Sequence, residues 1–166
     1  MKKPILILFI ACIASLLLLQ GCKSKELSVA DIAKQAKFDE NIQNRTYTFV
    51  AQSALPMGFP AVNLSPGYTV KVDGDDIDVY LPYYGRAYSA PINTTDGGLK
   101  FVRKADEYTM TKKKDKFEIT IVTSDKTMGE TKLYLTIGKS GYANLNVREV
   151  NRQPISFSGI VEIGDE

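Results

Sequence analysis

From Ser28 onward the apolar positions repeat with helical spacing. Val29, Ile32, Ala33 and Ala36 fall at i, i+3, i+4 and i+7 and form one stripe. Ser28 stands ahead of them as a cap, with Asp31 three residues on as its capping-box partner. The spacing predicts a helix over 28–43. Phe38 and Ile42 lie on another side of the same wheel, which predicts a kink or a change of contacts near Asp39. After Arg45 the period falls to two. Tyr47, Phe49 and Ala51 alternate with polar neighbours, and Pro56-Met57-Gly58-Phe59-Pro60 breaks the alternation as a loop. Tyr68, Val70 and Val72 face Ile77, Val79 and Leu81 across Asp73-Gly74-Asp75-Asp76, a hairpin signal. A second hairpin sets Leu133, Leu135 and Ile137 against Ala143, Leu145 and Val147, with Gly138-Lys139-Ser140-Gly141 as its turn. Shorter alternations predict strands over Leu99–Arg103, Glu107–Thr111, Phe117–Thr123 and Ile155–Glu162.

About nine strands follow one N-terminal helix, and no helix separates them. That pattern predicts a mainly β (α+β) fold, an antiparallel β-sandwich or a barrel-like sheet. No internal repeat or linker divides residues 28–166, which read as a single domain.

Ahead of this domain the pattern changes character. Met1-Lys2-Lys3 precedes fifteen uncharged residues, Ile5 to Leu19, a run shorter than the roughly 20 that a spanning helix needs. Residues 1–21 therefore read as a secretory signal peptide. Its last step, Leu19-Gln20-Gly21-Cys22, resembles the bacterial lipoprotein signal, although Gln20 is a less usual residue at its place. The resemblance implies cleavage before Cys22, a diacylglycerol thioether on its sulfur and acylation of the new amino terminus, by palmitate for example. Residues 22–27, with Lys23-Ser24-Lys25-Glu26, become a lipidated tether. Several acyl chains on one residue satisfy the need for more than one anchor in stable membrane attachment.

Composition is then reinterpreted. The 21 Lys and Arg exceed the 19 Asp and Glu by two, and those two are Lys2 and Lys3 of the signal. Without the signal the side chains balance, so net charge argues for no polyanionic partner. Cys12 leaves with the signal and Cys22 carries lipid, so the domain has no disulfide and depends on its core. A chain of this size buries roughly 68–70% of its unfolded surface, which is enough. Histidine is absent, which excludes Ser-His-Asp and Cys-His catalysis and every imidazole-held metal. No glycine-rich phosphate loop and no Gly-x-Ser-x-Gly elbow occurs, and no spacing singles out a pair of carboxylates. No catalytic residue, cofactor or metal site is expected.

Four features invite chemistry. Asp73, Asp75, Asp76 and Asp78 offer oxygens for a hard cation, but Ile77 interrupts the ligand spacing and the cluster reads as a solvated turn. Lys112-Lys113-Lys114-Asp115-Lys116 holds no aromatic residue to stack a base, so it reads as a charged hairpin tip guarding a strand edge and not as a nucleic-acid site. Asn44, Asn63 and Asn93 stand in Asn-x-Ser/Thr triplets, which in a bacterial lipoprotein are turn or strand-edge residues. The most distinctive segment is Tyr80-Leu81-Pro82-Tyr83-Tyr84-Gly85-Arg86-Ala87-Tyr88-Ser89-Ala90-Pro91. Tyrosine and arginine are frequent anchors of binding surfaces, which makes Tyr83, Tyr84, Arg86 and Tyr88 the candidate binding residues. The competing expectation is structural: tyrosines covering the mouth of the sheet, with hydroxyls bonded to backbone.

Several runs resemble the domain of unknown function 4251 family: Ala51-Gln52-Ser53-Ala54-Leu55-Pro56, Tyr68-Thr69-Val70-Lys71-Val72, Leu81-Pro82-Tyr83-Tyr84-Gly85-Arg86-Ala87-Tyr88, Gly97-Gly98-Leu99-Lys100-Phe101 and Asn151-Arg152-Gln153-Pro154-Ile155-Ser156-Phe157-Ser158-Gly159. The resemblance spans about residues 30–162. It implies a lipoprotein of a Bacteroides-type envelope and brings no activity or catalytic residue with it. The resulting expectation is a lipid-anchored, non-enzymatic binding or structural module, on the outer membrane and facing the periplasm. Its partners would be the membrane itself and an envelope protein or glycan, with no nucleic acid. The alternatives are a carrier holding a small hydrophobic ligand in a curved-sheet pocket and, behind it, a carboxylate hydrolase.

Overall fold

A computed structural model describes residues 28–88, 97–126 and 129–164. The chain divides into two compact units, residues 1–34 and 35–166. The signal peptide, the tether, Cys22, Asn93 and the end of the tyrosine segment from Ser89 lie outside the described residues.

Helix α1 spans Val29–Gln43. Ser28 caps it as the sequence predicts: its Oγ accepts from the Asp31 backbone N–H at 3.2 Å, and its own N–H donates to the Asp31 carboxylate at 3.2 Å. The predicted stripe is not the packed face, however. Val29 is 85% and Ile32 56% exposed, and Ala33 and Ala36 are exposed as well. In the second unit, Ile42 is fully buried and Phe38 packs against the core. The larger side chains on the other side of the wheel won. In the later turns of the helix, Phe38 and Ile42 remove far more apolar surface from water than Ala33 and Ala36 would.

Ten strands follow: β1 (Thr46–Pro56), β2 (Val62–Asn63), β3 (Thr69–Asp73), β4 (Asp76–Leu81), β5 (Leu99–Lys104), β6 (Glu107–Lys113), β7 (Lys116–Asp125), β8 (Gly129–Gly138), β9 (Tyr142–Glu149) and β10 (Ile155–Glu162). Nine make one continuous path, β5-β4-β3-β1-β10-β9-β8-β7-β6, and the two-residue β2 pairs beside it with the end of β1. Pattern reading missed β2, which is too short to show a period. Every neighbouring pair is antiparallel. The result is a single curled sheet, a half-barrel with one N-terminal helix. Of the two expected arrangements it is the barrel-like one.

The alternation holds along β3, β4, β7, β8, β9 and β10, and along β1 as far as Ala51. Tyr47, Phe49, Val70, Val72, Ile77, Val79, Ile119, Ile121, Leu133, Leu135, Leu145, Val147 and Phe157 all point inward and are buried. The Gly74–Asp75 turn closes the β3–β4 hairpin, with Gly74 at φ 61° as the turn demands. Gly141, at φ 82°, ends the β8–β9 turn.

Two features account for the curl. β1 bulges between Ala51 and Ser53, which bends it against β10. Opposite Ala51, β10 carries Gly159, where a Cβ would overlap the carbonyl of Val50. A glycine there lets the two central strands approach more closely than any side chain permits.

The second feature is the passage from β5 to β6. These are the two ends of the path, yet only Ala105 and Asp106 separate them in sequence. An even number of antiparallel steps lies between them, so they run in the same direction. They are two halves of one bent strand that changes partners from β4 to β7. The bend is held from both sides: Ala105 N–H donates to Asp75 O and Asp106 N–H to Val122 O, each at 2.8 Å. Across the interior, the Tyr47 and Tyr108 hydroxyls lie 3.1 Å apart, and the Arg45 guanidinium stands 4.3 Å over the Tyr108 ring.

Candidate functional site

β4 delivers the tyrosine segment at one end of the sheet. There β1 and β4 finish and β3 and β10 begin, so Pro56 stands beside Ile155 and Thr69 beside Tyr80. The chain emerging from Leu81 does not leave the domain. It runs antiparallel to the β9–β10 connection: Gln153 N–H donates to Arg86 O at 3.0 Å, Tyr88 N–H donates to Asn151 O at 2.8 Å, and Ala87 bridges to Arg152.

The four candidate residues divide here. Tyr83 is half-buried, with its hydroxyl 2.9 Å from the carbonyl oxygens of both Arg86 and Gln153, so that its one proton is donated between them. Burial pushes its phenol above the ordinary value, against the opposing pull of Arg152 and the bond to Gln153. Gly85 makes room for this hydroxyl, since a Cβ there would stand 2.6 Å from it. Tyr83 thus takes the structural role, a bolt across the mouth of the sheet. Tyr84, Arg86 and Tyr88 remain on the surface, Tyr88 at 69% exposure.

Beneath the bolt lies a charged pair that sequence reasoning did not single out. Arg152 and Glu149 have side chains 6% exposed, with Nε 3.2 Å from Oε2. Arg152 Nη1 donates to Gly97 O at 2.8 Å, and its guanidinium lies 5.0 Å over the Tyr83 ring. Thr131, the cross-strand partner of Glu149, donates its hydroxyl to Oε1 at 3.4 Å. Burial pushes the Glu149 carboxyl above its ordinary range, while Arg152, the Thr131 hydroxyl and Arg103 pull the other way. One arginine therefore joins three segments: the β9–β10 connection, the approach to β5 and the tyrosine segment. A signal for Glu149 existed. The inward parity of Ala143, Leu145 and Val147 continues to it two residues on.

The other motifs hold structural places. Asp75 accepts from Arg45 at 2.7 Å and Asp76 from Lys104 at 3.0 Å at the β3–β4 turn. Among the described residues, no group of three or more Cys, Asp or Glu stands close enough to share a metal ion. Lys112 pairs with Asp39, while Lys113 and Lys116 share Glu118. Asn44 ends the helix, with its N–H donating to Glu40 O, and Asn63 lies in β2.

Comparison with known proteins bears on the whole arrangement. The family model described as Domain of unknown function (DUF4251) matches residues 30–161. A crystal structure of a DUF4251 family protein from Bacteroides eggerthii is similar, with a TM-score of 0.60 at 12% identity, over 81% of this chain and 90% of that one. At that identity the likeness speaks for the fold alone. A comparison with curated proteins gives no match. The family match runs from the first turn of α1 into β10, and the chain belongs to the DUF4251 family.

Proposed function

We propose that this chain is a lipid-anchored envelope protein whose β-domain binds another envelope component, protein or glycan, and catalyses no reaction. One observation carries the binding surface: the two ends of the sheet differ in how many large apolar side chains they expose. The turns at one end, 44–45, 74–75, 114–115 and 139–141, are short and hold no large apolar residue, Tyr142 at the start of β9 being the exposed ring there. The connections at the other end expose Met57, Phe59, Tyr84, Tyr88 and Val150. Apolar and aromatic side chains gathered in loops on a rigid scaffold mark a surface that meets something. Arg86 adds a fork-shaped donor for a carboxylate or a polar glycan group. The inward positions are filled by the domain's own side chains, which favours the rim over an enclosed ligand. The anchor reading rests on Leu19-Gln20-Gly21-Cys22, and the proposed place on the outer membrane, facing the periplasm, rests on the resemblance to Bacteroides-type envelope lipoproteins.

Two variants test these parts separately. Replacing Tyr84, Arg86 and Tyr88 together by alanine, with Tyr83 left as the bolt, should abolish co-purification of a partner from native membranes. A folded triple variant that keeps its partner removes the assigned surface. Cys22→Ser should lose incorporation of labelled palmitate and keep residues 1–21 uncleaved, because the lipid is attached to the sulfur before the chain is cut. Label retained on that variant overturns the anchor.

A further inference from the structure

Among the described residues, β6 is hydrogen-bonded to a strand on one side only, by β7. A free edge pairs with any extended chain whose side chains it tolerates, and proteins commonly guard such edges with lysines. The guard here has an order of its own. β6 reads Glu107-Tyr108-Thr109-Met110-Thr111-Lys112-Lys113, acidic at one end and basic at the other. Laid antiparallel against a second copy with Met110 at the centre, it sets Glu107 opposite Lys113 and Thr109 opposite Thr111 on one face. The same register sets Tyr108 opposite Lys112 and Met110 opposite Met110 on the other.

The faces agree as well. Glu107, Thr109, Thr111 and Lys113 are exposed on the outer surface, while Tyr108 and Met110 are half-buried toward the core. Opposite charges, paired threonines and a cation facing an aromatic ring are favourable cross-strand neighbours, and to make them Lys112 and Lys113 exchange Asp39 and Glu118 for Tyr108 and Glu107 of the second copy. Two-fold symmetry makes each of them twice, and a C2 interface is isologous in this manner. A foreign strand without the same charge order meets three consecutive lysines, Lys112 to Lys114.

From this self-complementarity we infer that β6 is a homodimer edge, joining the sheets of two copies of this chain into one through antiparallel β6–β6 pairing. The charged run is then a specificity device, repelling other strands and matching its own.

Sedimentation of the full chain in detergent tests it. The native protein should be dimeric. Glu107→Lys and Lys113→Glu should each weaken association about tenfold, since each turns two attractions into two repulsions. The combined exchange should restore it, with unchanged circular dichroism in all three. A second measurement uses a chain whose Cys12 and Cys22 are replaced by serine. Met110→Cys should then cross-link two copies through a disulfide, and Val102→Cys on β5 should not. A monomer at about 100 µM, a dimer indifferent to Glu107→Lys, cross-linking through residue 102, or a foreign chain held at this edge would each overturn the assignment.

Discussion

Arg152 shows how much one side chain can be asked to do when it is buried. Its guanidinium neutralises Glu149, closes on the Gly97 carbonyl and supports the Tyr83 ring, all within one end of the sheet. Removing the cation alone leaves a buried carboxylate without its partner, which typically costs about 3–5 kcal/mol. Arg152→Met should therefore be strongly destabilising in urea titrations, and Glu149→Gln should destabilise as well, since it leaves the buried guanidinium without its carboxylate. The same carboxylate sets a pH dependence. Its folded-state pKa is raised, so between that value and the ordinary one near 4.5 the folded state holds a proton that the unfolded state has released. Glu149 therefore lowers stability at neutral pH, and that penalty is relieved as pH falls through this window. Unfolding free energies of the native protein and Glu149→Gln, measured at several pH values, should differ by this slope. Parallel curves would show that Glu149 titrates without consequence for the fold.

At the scale of elements, the sequence displays periods faithfully and burial poorly. Both hairpins and the boundaries of β10 were legible because alternation and turn glycines are local signals. α1 was legible as a helix but its buried face was not, because a stripe of Val, Ile and alanines looks amphipathic whether or not anything covers it. Deciding that needs the partner surface, a nonlocal fact. The site divides in the same way. Tyr84, Arg86 and Tyr88 announce themselves by residue type, whereas Arg152, near Glu149 in sequence, also ties down chain segments more than 50 residues away. The helix provides a clean contrast. Ile42→Ala should cost about 2–5 kcal/mol by opening the core, while Val29→Ser and Ile32→Ser should each stay within about 0.5 kcal/mol. Thermal unfolding of the three variants checks this, and equal losses at all three positions would contradict the exposed stripe.

At the scale of the molecule, the centre of the sheet is built from the two ends of the domain. β1 lies between β3 and β10, and β10 is the last strand in sequence. Without β10 no pairing of the long strands joins the β1–β3–β4–β5 half to the β6–β9 half, which stay connected through Ala105 and Asp106 and a few side-chain and loop contacts. A chain ending at Pro154 should consequently show no cooperative thermal transition by circular dichroism, even though every other strand remains. A sharp melt in that truncated chain would mean that the halves fold independently. The same pairing has a meaning in time. During synthesis from the amino terminus, β1 must wait for about 100 residues before its partner exists, on the order of 5–20 s at typical elongation rates. Throughout that interval one flank of the central strand is a bare template, and the nascent chain is at its most vulnerable to wrong pairing well before the last residues are made.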